Sequence, residues 1–259
     1  MQLRWQVAEA PAVYSVVNQE IDVIPELLIS GFDVADDPDM RRRVTQDLRS
    51  IELPAATYEG RVEPHEGGVR ASLLAVSPEG DRAPQSGKEE LHRRMAEQKA
   101  GLTELLGDFS ADGKLRSFFL GRRHQAALNL LFSLPSNPLG RGDSWSPDVT
   151  GIEIGERFFP KDSRRIHKAI LESLGKDDDG RLVATMFYVI TDEVSGHFEY
   201  KQAGDIQQLA MDVSNTYFAV GDFLVDQGRW KAFTAVNANV ASGSSGSERM
   251  ILYDMRLEE

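Results

Sequence analysis

After Trp145 the chain settles into a single pattern. Val149 to Phe159, Leu182 to Ile190, Glu193 to Tyr200, Gln208 to Val220, Arg229 to Val240 and Met250 to Leu257 are runs rich in β-branched and aromatic residues. Turn-forming clusters separate several of them: Lys176-Asp177-Asp178-Asp179-Gly180, Asp226-Gln227-Gly228 and Ser242 to Ser247. Such a succession folds as an antiparallel meander, because short turns cannot connect parallel neighbours. Ile166, Ile170, Leu171 and Leu174 also fit a helical face, but lie among hairpins and are read as strand.

The first half mixes both periods. Leu3-Trp5-Val7 alternates, and Val13 to Val23 reads as a strand broken by Pro25, with Leu27 to Val34 continuing the sheet. Asp37-Pro38-Asp39 has the form of an N-cap with proline in the first turn, and Met40, Val44, Leu48 and Ile51 share one helical face. Tyr58–Val62 and Val69–Val76 suggest a hairpin through His65-Glu66-Gly67-Gly68, followed by a loop from Ser77 to Gly87. Leu91, Met95, Leu102, Leu105 and Leu106 predict a helix over 88–107 that Gly107 ends. Lys114–Leu120 predicts a strand, and Arg122–Phe132 a second apolar helix. Pro135 and Pro138 stop that helix, and the Gly140–Asp143 turn hands over to Trp145.

No linker divides the chain. The expected architecture is α+β and mainly β: one domain over 1–259, with a large curled, half-barrel-like antiparallel sheet and two or three helices packed on one face. Residues 1–145 supply sheet and helices, and residues 146–259 a meander that shares the same sheet.

Composition narrows function mostly by exclusion. Acidic residues outnumber basic ones 41 to 29, giving a net charge of −12, which repels phosphate backbones and argues against nucleic-acid binding. Arg41, Arg42 and Arg43 read as a solvated helix face rather than an anion site. No apolar stretch is long enough for a membrane-spanning helix. There is no cysteine, so disulfides, thiolate metal sites and cysteine nucleophiles are excluded.

The five histidines, His65, His92, His124, His167 and His197, form no metal-binding spacing. Asp33, Asp36, Asp37 and Asp39, like Asp177 to Asp179, lack the alternation and distal glutamate of a calcium loop. No nucleotide loop or nucleophile elbow is present, so no cofactor, metal or catalytic residue is assigned. Arg141-Gly142-Asp143 matches an adhesion tripeptide, but its flanks, Pro138 and Trp145, suit a tight structural turn. Met1 to Val7 has neither the basic nor the apolar region of a signal peptide, and read literally implies a cytoplasmic protein.

Several segments carry a resemblance. They are Leu3-Arg4-Trp5 with Tyr14, Gly113 to Leu120, Phe132-Ser133-Leu134-Pro135, Gly142-Asp143-Ser144-Trp145, Tyr188 with Glu193 to Phe198, and Phe223 through Gly228-Arg229-Trp230. In these the chain resembles a group of β-rich bacterial envelope proteins of no assigned activity, many of them lipoprotein-like. The resemblance implies a periplasmic or envelope location, although those proteins usually carry a leader and an acylated cysteine, which this sequence does not show. It implies no catalytic residues; Pro135, Gly142, Asp143, Trp145, Glu193, Gly196, Gly228 and Trp230 read as fold determinants. The pattern is also similar to the half-barrels of periplasmic lipoprotein carriers, which implies an apolar cavity between sheet and helices.

Three functions follow as expectations. The first is non-enzymatic binding of an apolar small molecule or lipid. The second is a scaffold or assembly subunit that binds a protein partner. The third is a hydrolase using His124 or His197 with a carboxylate.

Overall fold

The computed structural model describes residues 1–6, 10–76, 94, 97–119, 131–147, 149, 158–202, 205–243 and 246–258. Among the described residues eleven strands carry the fold: β1 (Ala12–Ile21), β2 (Tyr58–His65), β3 (Gly68–Ala75), β4 (Thr103–Ser110), β5 (Leu115–Phe119), β6 (Ser144–Trp145), β7 (Phe158–Lys176), β8 (Leu182–Gln202), β9 (Asp205–Leu224), β10 (Arg229–Gly243) and β11 (Ser247–Leu257). They make one open antiparallel sheet in the order β5-β4-β3-β2-β1-β11-β10-β9-β8-β7-β6. Its two edges, β5 and β6, are consecutive in sequence.

The sheet is strongly curled, and aromatic contacts prove it. β4 and β9 are six strand-to-strand steps apart, about 29 Å if the sheet were flat. Three ring contacts nevertheless bridge them: Phe109 of β4 stacks on Phe132 at 4.1 Å, Phe132 on Trp5 at 4.6 Å, and Trp5 meets Phe223 of β9 edge-on at 5.7 Å. The face carrying Phe109 and Phe223 is therefore concave. It also carries Tyr14, Val62, Leu105, Tyr188, Trp230 and Phe233, all buried. Register shifts at Trp230/Ala232, Pro160/Asp162 and Leu171/Ser173 bend the long strands further.

Helices close the convex face. A 3₁₀ turn (Pro25–Leu27) leads into α1 (Gly31–Ala35) and α2 (Pro38–Ser50). Asp37 caps α2 by accepting from the N–H groups of Asp39 and Met40 at 2.8 and 3.1 Å. Val44 and Leu48 then pack with Val17, Phe187, Phe218 and Leu252. Around this core Arg41 pairs with Glu172 at 2.6 Å, Lys168 with Asp36 at 2.6 Å, and Arg49 with Asp222 at 3.1 Å. Of the three consecutive arginines, Arg42 and Arg43 are exposed, whereas Arg41 is tied to the sheet.

Among the described residues, chain outside the sheet covers the concave face. Residues 131–132 end a helical turn there, so this helix end lies opposite α1 and α2. The Trp5 indole N–H donates to the Phe132 carbonyl at 3.2 Å, that of Trp230 to the Leu131 carbonyl at 2.7 Å, and Met1 and Leu139 exchange two backbone bonds of 2.7 Å. At Gly113 (φ +82°) the β4–β5 turn comes so close that a Cβ would sit 1.5 Å from the Phe132 carbonyl oxygen.

Four expectations change. Leu102, Leu105, Leu106 and Gly107 do not continue a helix: Thr103–Ser110 is β4, where Leu105 and Phe109 point inward by strand alternation and β3 supplies the hydrogen bonds. Residues 77–93, 95–96, 120–130 and 150–157 lie outside the described residues, and with them the predicted loop from Ser77 to Gly87, the start of the 88–107 helix, most of the 122–132 helix and most of the Val149–Phe159 strand. Leu27–Val34 turns away from the sheet as the 3₁₀ turn and α1, because Pro25 removes a ladder donor. Leu3 and Trp5 are buried without forming a strand, since the segment bonds to Ala111 and Gly228 in turns rather than to a strand. Leu182–Ile190 and Glu193–Tyr200 are one strand, β8.

Candidate functional site

Cross-strand register turns the concave face into a set of transverse rows. The row through Leu171, Met186, Gly221, Phe233 and Met255 is apolar. Beyond it lie Ala169, Tyr188, Ala219, Ala235 and Tyr253, with Asn18 opposite Tyr253. The next row mixes His167, Ile190, Tyr217, Asn237 and Ile251. The row after that is wholly polar, with Arg165, Asp192, Asn215, Asn239 and Arg249 side by side on five strands. A trough that passes from apolar to polar along its strands is the most organised chemical feature of the molecule.

The apolar end holds a cavity of about 50 Å³, lined by Tyr14, Val16, Val62, Ala71, Leu105 and Phe132 among others, and reaching Asn18 and Tyr253. Gly60 forms part of its wall, where a Cβ would press to 2.9 Å from Val16. A larger cleft of about 510 Å³ lies at the seam between the sheet's edges. Asp112 to Leu115 from the β4–β5 turn form one side, Trp145, Ser146 and Val149 the other, with Ser133 to Ser136 between them.

The polar rows are tightly bonded within themselves. Arg165 Nε donates to Asp192, and His167 lies 3.4 Å from the same carboxylate. Asn239 Nδ2 donates to Asn237 Oδ1 at 3.2 Å, Tyr217 bonds the Asn237 side chain, and Arg249 pairs with Glu20 at 2.8 Å. Asn215 Oδ1 is buried and accepts no hydrogen bond; so is the Trp145 indole N–H, which donates none. Burial pushes the Tyr14, Tyr188, Tyr217, Tyr253 and Tyr58 phenols above their ordinary range.

The motif residues mostly serve the frame. Asp143 accepts from Gly140 N–H at 2.7 Å, while Gly142 (φ +86°) and Asp143 exchange backbone bonds with Leu171 at 2.8 and 3.0 Å. The Arg141-Gly142-Asp143 turn is thus laced onto β7. Trp145 is half-buried, edge-on to Tyr188 at 5.7 Å, and lines the seam cleft with Pro135. Glu193 binds Arg164 at 2.5 Å and Ser30 at 3.2 Å, fixing α1 to β7 and β8. At Gly196 a Cβ would lie 2.3 Å from the Phe159 carbonyl oxygen, and at Gly228 2.2 Å from the Gln6 nitrogen. Trp230 is fully buried between Phe223 and Phe233.

The hydrolase residues are not brought together. His124 lies outside the described residues. His197 is 3.6 Å from Glu199 on the outer face of β8, stacked on Phe159 rather than in a cleft. Ser117, Asp108 and His65 do meet, but the hydroxyl donates to the carboxylate at 2.5 Å while the imidazole stands 3.7 Å from that carboxylate, so no base touches the nucleophile. Among the described residues no cluster of three or more ligating side chains is placed to hold a metal, and no helix is long and apolar enough to cross a membrane. Asp177 instead binds Lys231 at 2.8 Å and Arg181 at 3.0 Å, a turn role.

The polar rows were not read from sequence. Their residues come from five successive strands, β7 to β11, and only register aligns them. The available signal was Asn237-x-Asn239 within the mostly apolar run Phe233 to Ala241, where alternation puts both amides on the inward face. No protein-family profile, curated protein or solved structure matches this chain.

Proposed function

We propose that this chain is a non-enzymatic bacterial envelope protein that binds an apolar ligand, such as a lipid acyl chain, on the concave face of its half-barrel. The observation that carries the reading is the apolar-walled cavity between Val16, Val62, Ala71 and Leu105 on the sheet and Phe132 above it. At about 50 Å³ it is far below the roughly 300 Å³ that small-molecule pockets begin at. Binding therefore requires the Leu131–Phe132 turn to lift, which would merge cavity and seam cleft. The envelope location rests on the resemblance of Phe132 to Pro135 and Gly142 to Trp145 to lipoprotein-like envelope proteins.

A protein-binding scaffold is the second reading. It is favoured by the outer end of β7 to β9, where Phe159 and Ile206 are 46% and 62% exposed. Native mass spectrometry of the protein purified from its own host separates the two. A co-purifying lipid is the expected result; a stoichiometric protein partner without lipid would favour the scaffold.

A further inference from the structure

We propose that the polar rows of the concave face hold the head of an amphiphile, and that this head is uncharged and bears hydroxyl groups. The inference rests on the apolar-ligand reading above and names the ligand's other end. The trough is amphipathic along one axis: the cavity at its apolar end opens toward Asn18 and Tyr253. Register places three phenols around that rim: Tyr253 opposite Asn18, Tyr217 one row further on opposite Asn237, and Tyr58 opposite Val16. The amides of Asn237, Asn239 and Asn215 follow directly beyond. A tail in the cavity thus places its head against phenols and amides.

The chemistry of those groups selects the head. Phenols and amides both donate and accept, and Asn215 Oδ1 is a buried acceptor without a donor. A hydroxyl answers both needs. A phosphate offers only acceptors and would need a free cation, yet the two arginines of the row are already paired, Arg165 with Asp192 and Arg249 with Glu20. An ammonium would need a free carboxylate, yet Asp192 is engaged by Arg165 and Glu20 by Arg249. A charged head would therefore lose hydration without a compensating partner.

The test is displacement of Nile red from the full chain by three ligands sharing one tail: 1-monooleoylglycerol, oleate and oleoyl lysophosphatidate. Monooleoylglycerol should displace the dye at roughly tenfold lower concentration than the other two, the effect of about one net hydrogen bond. Tyr217→Phe and Asn215→Leu should each erase that preference, and a cooperative urea transition reports that the variants are folded. Equal displacement by all three, or a preference for either charged ligand, overturns the head assignment and leaves the apolar site standing. A preference that survives both substitutions overturns it too. Failure of Nile red and all three ligands to bind removes the apolar-ligand reading and this inference together.

Discussion

The two faces of the sheet are buried by different means. On the convex face a capped helix lays Val44 and Leu48 onto Val17, Phe187, Phe218 and Leu252, and salt bridges rim the contact. On the concave face the cover, among the described residues, is chain outside the sheet held by indole-to-carbonyl bonds and a stack of rings, with a cavity beneath it. Regular elements fill space densely because their side chains recur at fixed positions. A cover with few regular hydrogen bonds can detach at lower cost. On the apolar-ligand reading, the concave face is the one that opens.

The largest expected effect tests that contrast. Phe132→Ala removes the ring stacked between Trp5 and Phe109 and should cost about 3–5 kcal/mol in urea unfolding. Leu48→Ala on the convex face should cost about 2–5 kcal/mol. Saturating oleate should restore much of the loss for Phe132→Ala, since an acyl chain refills that space and stabilises the folded state by mass action. It should restore no more for Leu48→Ala than for the unmodified protein. Equal rescue of both variants would mean that the faces do not differ in this way.

The faces also titrate at opposite ends of the pH scale. The phenols of Tyr14, Tyr58, Tyr188, Tyr217 and Tyr253 all have raised pKa values from burial and all sit on the concave side. The unfolded chain then ionises first, from about pH 10, so their stabilisation is full below that pH and falls as pH rises. Carboxylates held low by partners lie elsewhere: Asp36 beside Lys168, Asp37 at the α2 cap, Asp108 beside Arg70, and Asp177 beside Lys231. Their stabilisation is present above about pH 4 and falls on acidification. Tyr188→Phe should flatten only the alkaline limb of urea midpoint against pH, and Asp108→Asn only the acid limb. A tyrosine variant that moves the acid limb would break the assignment of limbs to faces.

How much of this was legible differs by face as well. α2 could be read because Asp37-Pro38 marks its start and Met40, Val44 and Leu48 repeat at helical spacing, all local facts. The hairpins around Gly67, Gly180 and Gly228 were legible for the same reason, since positive φ at a glycine is encoded where the turn is. β4 was misread because Leu102, Leu105 and Leu106 satisfy a helical stripe, while Leu105, Gly107 and Phe109 satisfy a strand. Pairing with β3, a tertiary fact, decides between them. The trough was illegible for a related reason: Asp192, Asn215 and Asn239 become neighbours only when two successive hairpins are in register.

Trp145 is the next and smaller test. Its ring is half-buried against Tyr188 and lines the seam cleft. Truncation to alanine should therefore cost about 1.5–2.5 kcal/mol, half the range for a fully buried aromatic. If the cleft is the way in, Trp145→Ala should speed Nile red uptake in stopped-flow more than it weakens equilibrium binding. A loss of 4 kcal/mol or more, roughly the cost of a core tryptophan, would place the residue in the frame and not at a mouth.

The smallest effect concerns Asp143, two residues before Trp145 and bonded differently. Its carboxylate accepts the Gly140 N–H at 2.7 Å, closing the turn whose backbone is laced to Leu171 of β7. Asp143→Ala deletes that one acceptor in an exposed turn, so water replaces it and the loss should be about 0.5–2 kcal/mol, as for a helix cap. The β6–β7 pairing spans only Ser144–Ile170 and Trp145–Ala169, so loosening the turn should fray β6 first. Amide exchange at Trp145 should accelerate while exchange at Val189 and Val236, buried under the helices, stays unchanged. Faster exchange on both faces at once would show that the sheet opens as one unit, and the contrast between a closed face and an opening one would fail.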